Sequence, residues 1–449
     1  MRVLGVSETC DLGALYLSLA REGHEVRVAV SEPLARGTLA GLVPRTPDWR
    51  AELDWVRAAG PEGIILFESV SEGFGALQDR LRAEGFNVIG GSAYGDRLEN
   101  DRAYAQEVFA ELGFPAGHVW EFDRPADATA FIADHPARYV LKFSGPGYAS
   151  SDNYVGQLPD GRDVSAILRC RAAAEPGAAD RFILMRHVEG VEMATGAYFN
   201  GEAFLEPACL DWEHKRFFAG DLGELTGEMG TVVTFDRSRT FFRRLLAPMA
   251  PRLAAARHVG WVNINAIVNE DGVWPLEFSC RFGYPGFAIL SPLQPPWGEL
   301  LWAVAARTPL TLNTRPGFGV GVVITTPPLP YTRKEIPDAP VGLPVLIDDG
   351  ADAAHFHYGE MGLDASGQLV TSGLYGWTMV VTGTGASVAA ARAAAYANLA
   401  KAVVPNGRWR LDIGDRLNAG DLARVERLGL LDPEPTPATP PQRRVESPA

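Results

Sequence analysis

A chain of 449 residues is long for one core, so roughly two to four domains are expected. Its 47% apolar and 21% charged residues are those of a globular protein. The formal net charge of −14 argues against nucleic acid or an anionic membrane as the main partner, because neither is drawn to an acidic surface.

The first 95 residues alternate strand and helix: strands at Arg2–Val6, Glu25–Val30, Gly63–Phe67 and Asn87–Ile89, helices at Leu12–Glu22, around Trp49–Ala59 and at Gly75–Glu84. That alternation predicts a small doubly wound parallel-sheet domain. Leu98–Leu112 reads as a helix stopped by Gly113-Phe-Pro. Beyond it, strands at Tyr139–Lys142, Arg181–Met185, Met193–Asn200, Gly260–Asp271 and Val273–Gly283 are mixed with isolated helices, which predicts an α+β region over 96–310. A smaller α+β domain is expected over 311–430, with strands at Gly317–Thr325, His355–Tyr358, Leu369–Thr371 and Thr378–Thr382 and a helix at Ser387–Ala400. Residues 431–449 read as a proline-rich disordered tail.

The four cysteines, Cys10, Cys170, Cys209 and Cys280, show neither a CxxC pair nor zinc spacing and fit buried thiols in a reducing compartment. The first residues run directly into a strand with no signal-peptide pattern, and no apolar run approaches the roughly 18 residues of a membrane span, so a cytoplasmic location is expected.

Candidate chemistry gathers at a few places. Glu277 and Arg281, at the end of a strand, offer a carboxylate for Mg²⁺ and a guanidinium for a phosphoryl group. Lys142 ends a buried strand just before Gly145 and Gly147, where small residues let the backbone approach phosphates; a lysine there can equally snorkel to solvent. Met185–His187 could present backbone groups to an adenine edge, with Glu192 able to accept from ribose hydroxyls. His214-Lys215-Arg216 precedes the glycine-rich stretch Gly223–Gly230, which suits a polyphosphate and a closing loop or a solvated basic patch. A P-loop, a GxSxG elbow and HExxH are all absent.

In this order the segments resemble the ATP-grasp ligases, and among them the phosphoribosylamine–glycine ligase family. The resemblance rests on Arg97–Tyr104, Val140-Leu-Lys142, Glu189-Gly-Val-Glu192, Glu213-His-Lys-Arg216, Gly223–Gly230, Leu276–Gly283, Val370–Gly373 and Leu411–Gly414. It implies an ATP-grasp fold and activation of a carboxylate by ATP, followed by amine attack to give an amide, ADP and phosphate. Residue by residue, it implies that Arg102 and Lys142 hold phosphates, with Gly145 and Gly147 in a mobile lid over 145–151. Met185, His187, Glu192 and His214 would serve the nucleotide, and Glu277 and Ser279 Mg²⁺, or Mn²⁺ in its place. Lys215 and Arg216 would act on the polyphosphate in catalysis, and Arg281 would stabilise the transferring phosphoryl group or the carboxylate substrate.

The chain departs from the family where the phosphoribosylamine phosphate is held. Gly5–Gly13 carries Glu8 and Asp11 and no basic residue, and Glu68–Glu72 replaces a Pro-Glu loop. Tyr284-Pro-Gly stands for Asp-Pro-Glu, and Ser279 for the metal asparagine. Acids there repel a phosphate. The expectation is therefore a carboxylate–amine ligase acting on small molecules as monomer or homodimer, with a more cationic amine held by Glu8, Asp11, Glu68, Glu72 or Tyr284. A phosphoribosylamine–glycine ligase of purine synthesis and a weakened ATP-binding regulator remain as alternatives.

Overall fold

Five short parallel strands open the chain, in the order Arg45–Thr46, Glu25–Val30, Arg2–Ser7, Gly63–Phe67, Asn87–Ile89. The structure, a computed structural model, describes residues 1–68, 73–115, 118–143, 153–174, 181–307, 311–330, 341–373 and 375–433. Gly145, Gly147, Glu72, the lid segment 145–151 and most of the proline-rich tail lie outside them. The four longer N-terminal strands sit where the apolar runs predict; Arg45–Thr46, two residues long, leaves no such run. The helix expected over Leu98–Leu112 is two helices, Ala93–Asn100 and Arg102–Glu111. Asp101 separates them: its carboxylate accepts from the Tyr104 amide at 3.0 Å, capping the second helix and placing Arg102 in its first turn.

A four-stranded antiparallel sheet follows, in the order Val119–Phe122, Phe182–Arg186, Tyr139–Phe143, Tyr154–Val155. One face packs on the helices Pro125–Asp134 and Arg162–Ala174 through Tyr139, Leu141, Phe182 and Leu184. Strand alternation sends Val140, Lys142 and Met185 to the other face, Val140 lying opposite Met185.

The largest sheet has eight antiparallel strands, in the order Gly272–Ser279, Gly260–Asn269, Val191–Phe199, Cys209–Glu213, Gly230–Thr234, Phe318–Thr325, Trp377–Gly385, Phe356–Tyr358. It crosses the boundary expected at residue 311 without a break, since Phe318–Thr325 bonds directly to Gly230–Thr234. Val232, Val262, Val320 and Val381 accordingly share one buried core. The start of the expected tail is also tied down: the Asp432 carboxylate accepts from the Arg239 amide and the Thr240 hydroxyl. Among the described residues no helix is long and apolar enough to cross a membrane.

Candidate nucleotide and substrate site

The four-stranded sheet and the polar end of the eight-stranded sheet enclose a cavity of about 830 Å³. Val140, Lys142 and Met185 form one wall, Glu192, Glu213, Lys215, Ile267 and Glu277 the other, and Arg102 and Arg216 border it. The polar wall follows from strand register. Ala194 lies opposite both Asp211 and Asn265, and Asn265 opposite Glu277. With two-residue alternation, Glu192, Asp211, Glu213, Asn263, Asn265, Glu277 and Ser279 therefore share one face of the sheet. Trp212 points the other way, into the core.

Lys215 is the electrostatic hub. Its Nζ lies 2.9 Å from Glu192, 3.2 Å from Glu213 and 3.1 Å from Glu277. Arg102 stands 3.4 Å from the second oxygen of Glu277, and Asn265 donates to Glu192 at 2.8 Å. Lys215, then Lys142 and Arg102, hold the Glu277 carboxyl well below the usual carboxylate range against the opposing effect of burial. Burial would raise Glu192, but Lys215 and Asn265 bring it below its ordinary value.

Lys142 is different. Burial and the neighbouring Arg102 and Lys215 lower it to about 8, with Glu277 opposing. A half-buried cation with no ion pair among the described residues suits an incoming polyanion. Its charge is present below that pKa and lost above it, so ADP affinity should fall as pH rises through about 8. Lys142→Arg should keep its affinity to higher pH; titration calorimetry across pH 7–9.5 checks this, and parallel profiles for both proteins would contradict it.

Other expected residues are placed differently. Arg281 does not line the cavity: its Nε lies 3.1 Å from Glu99, whose carboxylate also accepts from the Cys280 amide. The strand ends at Ser279, so Glu277 and Arg281 do not continue on one face. His214 is fully buried, with Nε2 3.3 Å from the Gly414 amide, and burial with Arg416 and Arg410 lowers it to about 3. It accepts from the C-terminal segment there and does not line the cavity. Ser279 opens on a second, smaller cavity. His187 lines the nucleotide-sized cavity, half-desolvated and lowered by burial and Arg138. Arg216 also lines it, while donating to the Gly223 carbonyl at 2.6 Å.

The N-terminal acids have mixed fates. Glu68 turns inward, accepting from the Ser7 hydroxyl at 2.7 Å and the Leu12 amide at 3.2 Å; burial and Asp11 push it up to about 7. Asp11 accepts from Thr9, and the Glu8 carbonyl accepts from the Glu32 amide. Tyr284 packs on Trp377, its hydroxyl buried and its ionisation raised by burial, Asp11, Glu360 and Glu228.

Sequence reading missed Asp211, Glu213, Glu228 and Glu360. The first two carry a signal, two acids spaced by two in an otherwise apolar strand; the others acquire meaning only from the fold. Glu360 accepts from the amides of Tyr375, Gly376 and Trp377, yet burial pushes it up to about 7. With Glu68 it binds a proton more tightly folded than unfolded, so folding stability should fall as pH rises from about 5 to 8. Glu360→Gln should flatten that decline in thermal melts, and an unchanged slope would count against it.

The donors facing the cavity fit Mg²⁺, a hard cation satisfied by one or two carboxylates plus phosphate oxygens: Glu277 is held ionised and Glu213 lies beside it on Lys215. Among the described residues no group of three or more His, Cys, Asp or Glu side chains could hold a metal alone.

Comparison with known proteins gives the same picture. Residues 100–287 match the family "Phosphoribosylglycinamide synthetase, ATP-grasp (A) domain". The chain is 28% identical to a phosphoribosylamine–glycine ligase of Rhizobium meliloti, covering 83% of this chain and 85% of that protein. It is 27% identical to one of Mycobacterium bovis, covering 94% and 100%. A crystal structure of the Thermotoga maritima phosphoribosylamine–glycine ligase superposes with a TM-score of 0.68 at 19% identity, over 92% of this chain and 100% of that one. A Campylobacter jejuni biotin carboxylase shares the fold more loosely, with a TM-score of 0.58 at 12% identity, over 96% and 97%. Residues 100–287 thus match the ATP-grasp domain of that family, and over most of its length the chain is similar to the phosphoribosylamine–glycine ligases.

Proposed function

We propose that this protein is an ADP-forming carboxylate–amine ligase using MgATP and an acyl-phosphate intermediate, with an amine substrate that differs from phosphoribosylamine. The observation carrying the reading is Lys215 held between Glu192, Glu213 and Glu277, facing Lys142 across one cavity. Val140, Met185 and Ile267 provide apolar contact for a base, and Glu192 a carboxylate for ribose hydroxyls. Lys142, Arg102 and Lys215 place three cations where a polyphosphate would lie, which orients it and stabilises charge at the transferred group. Glu277, with Ser279 or Glu213, would hold Mg²⁺, which when bound neutralises phosphate charge. The substrate carboxylate oxygen attacks the γ-phosphorus, releasing ADP; the amine then attacks the acyl carbon, expelling phosphate and giving up a proton.

The charge gathered around Asp11 supports the departure from phosphoribosylamine. Glu68 and Glu360 both lie within electrostatic reach of Asp11, and burial with Asp11 raises both carboxyls to about 7. A phosphate ester is repelled there and a cationic amine attracted. The names of the curated relatives favour the second reading, phosphoribosylamine–glycine ligation. Purified protein supplied with MgATP, pooled carboxylates and pooled cationic amines should release ADP only when both pools are present. Release with glycine and phosphoribosylamine alone would establish the second reading; bound ATP with no turnover under any combination would refute both.

A further inference from the structure

One wall of the nucleotide-sized cavity has little of its own to hold it. The strands Arg216–Phe218 and Leu222–Leu225 pair with each other in a separate two-stranded sheet. Arg216, Asp221, Leu222, Gly223 and Glu224 from this hairpin line the cavity. Within 216–225 only Phe217 is buried, against Met229 and Leu329, while Phe218 is 55% and Leu222 64% exposed. A two-stranded hairpin with so small an apolar face is marginal in water. Its base closes on the hub of the site: Thr226 donates from its amide and from its hydroxyl to the Lys215 carbonyl, both at 2.8 Å. Movement of the hairpin therefore moves the backbone of Lys215.

The missing hold comes from the C-terminal segment 410–416. Arg410 is 1% exposed, and all three nitrogens of its guanidinium are bonded. Nε and Nη2 donate to the two oxygens of Asp412 at 2.8 and 2.7 Å. Nη1 donates to the Arg216 carbonyl at 3.0 Å and to the Asp221 carboxylate at 2.9 Å, so one group grips the first strand and the turn after it. Asp412 in turn accepts from the Gly220 amide at 2.8 Å. Asp221 holds a left-handed φ of +54°, and the second oxygen of its carboxylate lies 3.3 Å from Arg416. The segment is itself anchored. On the helix Val388–Leu399, the Tyr396 hydroxyl donates to the Arg410 carbonyl at 2.8 Å and accepts from the Ile413 amide at 3.2 Å. That helix packs through Ala391 and Ala395 on the core of the eight-stranded sheet. Charge-assisted, two-pronged bonds of this kind fix direction as well as distance. Arg410 and Asp412 do not line the cavity.

We propose that Arg410 is a positioning residue: from the C-terminal segment it clamps the hairpin 216–225 as a wall of the cavity, and so sets nucleotide affinity without touching the nucleotide. Asp412 aims the guanidinium. The effect on affinity rests on the nucleotide reading of the cavity; the clamp itself does not.

Hydrogen exchange read by mass spectrometry, with titration calorimetry of MgADP on the full chain, tests this. Arg410→Met should speed amide exchange over 216–226 at least about tenfold, as expected for losing charged hydrogen bonds. Val191–Phe199 and Gly260–Asn269 should stay as protected as in wild type, whereas a general loss of stability would loosen them too. The same variant should bind MgADP about tenfold more weakly, a coupling of ordinary size between separated sites. Arg410→Lys keeps the charge but not the planar fork, and should recover only part of both effects. If Arg410→Met does not fold, Asp412→Asn decides, because it keeps the guanidinium and weakens the group that aims it; faster exchange over 216–226 and weaker MgADP binding are again expected. Unchanged exchange over 216–226 would overturn the proposal. So would exchange that rises equally in the long strands. Faster hairpin exchange in a variant, with no MgADP bound by it or by wild type, would uphold the clamp and sink the nucleotide reading. MgADP bound with equal affinity by both would keep that reading and sink the positioning role.

Discussion

Replacing Glu277 with alanine should lower carboxylate-dependent ADP formation on the order of 10²-fold, the loss expected for one preorganised charge at a reacting phosphate. Glu277 alone among the acids facing this cavity touches both Lys215 and Arg102, at 3.1 and 3.4 Å. Its removal takes away the carboxylate best placed for Mg²⁺ and frees two cations to shift toward Glu192 and Glu213. Because its carboxyl is held well below the ordinary range, the wild-type rate should not fall from Glu277 protonation anywhere near neutral pH. Steady-state ADP release at saturating MgATP measures the effect. Near-normal turnover in a variant that melts like wild type would remove Glu277 from the chemistry.

Lys215→Met should cost about 2 kcal/mol of folding stability at neutral pH. That is less than the ~3–5 kcal/mol for breaking a fully buried pair, because Lys215 is still 24% exposed. Wild-type Lys215 has a raised pKa, so its contribution is complete below its unfolded value and is lost only at strongly alkaline pH. Without it, Glu192 and Glu213 lose their ion pair, Glu277 keeps only Arg102, and the three carboxyls rise. The folded variant then binds more protons than the unfolded chain between about pH 4 and 7, so its stability falls as pH rises through that window. Urea unfolding at pH 5 and pH 8 should show the gap to wild type widening with pH. A gap that is constant or larger at pH 5 would contradict the carboxylate cage.

Local sequence patterns located most elements, because apolar alternation and helical spacing are short-range. Glu25–Val30, Gly63–Phe67, Leu369–Thr371 and the helix Val388–Leu399 stand within a residue or so of the expected positions. Long-range pairing was not legible. Nothing in Phe318–Thr325 announces that it bonds to Gly230–Thr234, so a sheet that crosses residue 311 looked like a boundary. Asp101 could be read as a cap only by weighing it against the helix formers on both sides. For the site, Lys142, Glu192 and Glu277 from three strands and Lys215 from the loop after Cys209–Glu213 line one cavity. Arg281 does not join them, because four-residue spacing brings side chains together on a helix, whereas here the strand ends between the two. The second, smaller cavity was invisible for a related reason: Asp211 and Glu228, which line it, are neighbours only through the pairing of Cys209–Glu213 with Gly230–Thr234.

A crystal structure of the protein with MgADP tests the central claim most directly. The diphosphate should lie within hydrogen-bonding reach of Lys142 and Lys215, with the metal on Glu277 and the base against Val140 and Met185. Nucleotide bound elsewhere, or a cavity that excludes it while the three carboxylates keep hold of Lys215, would contradict the account.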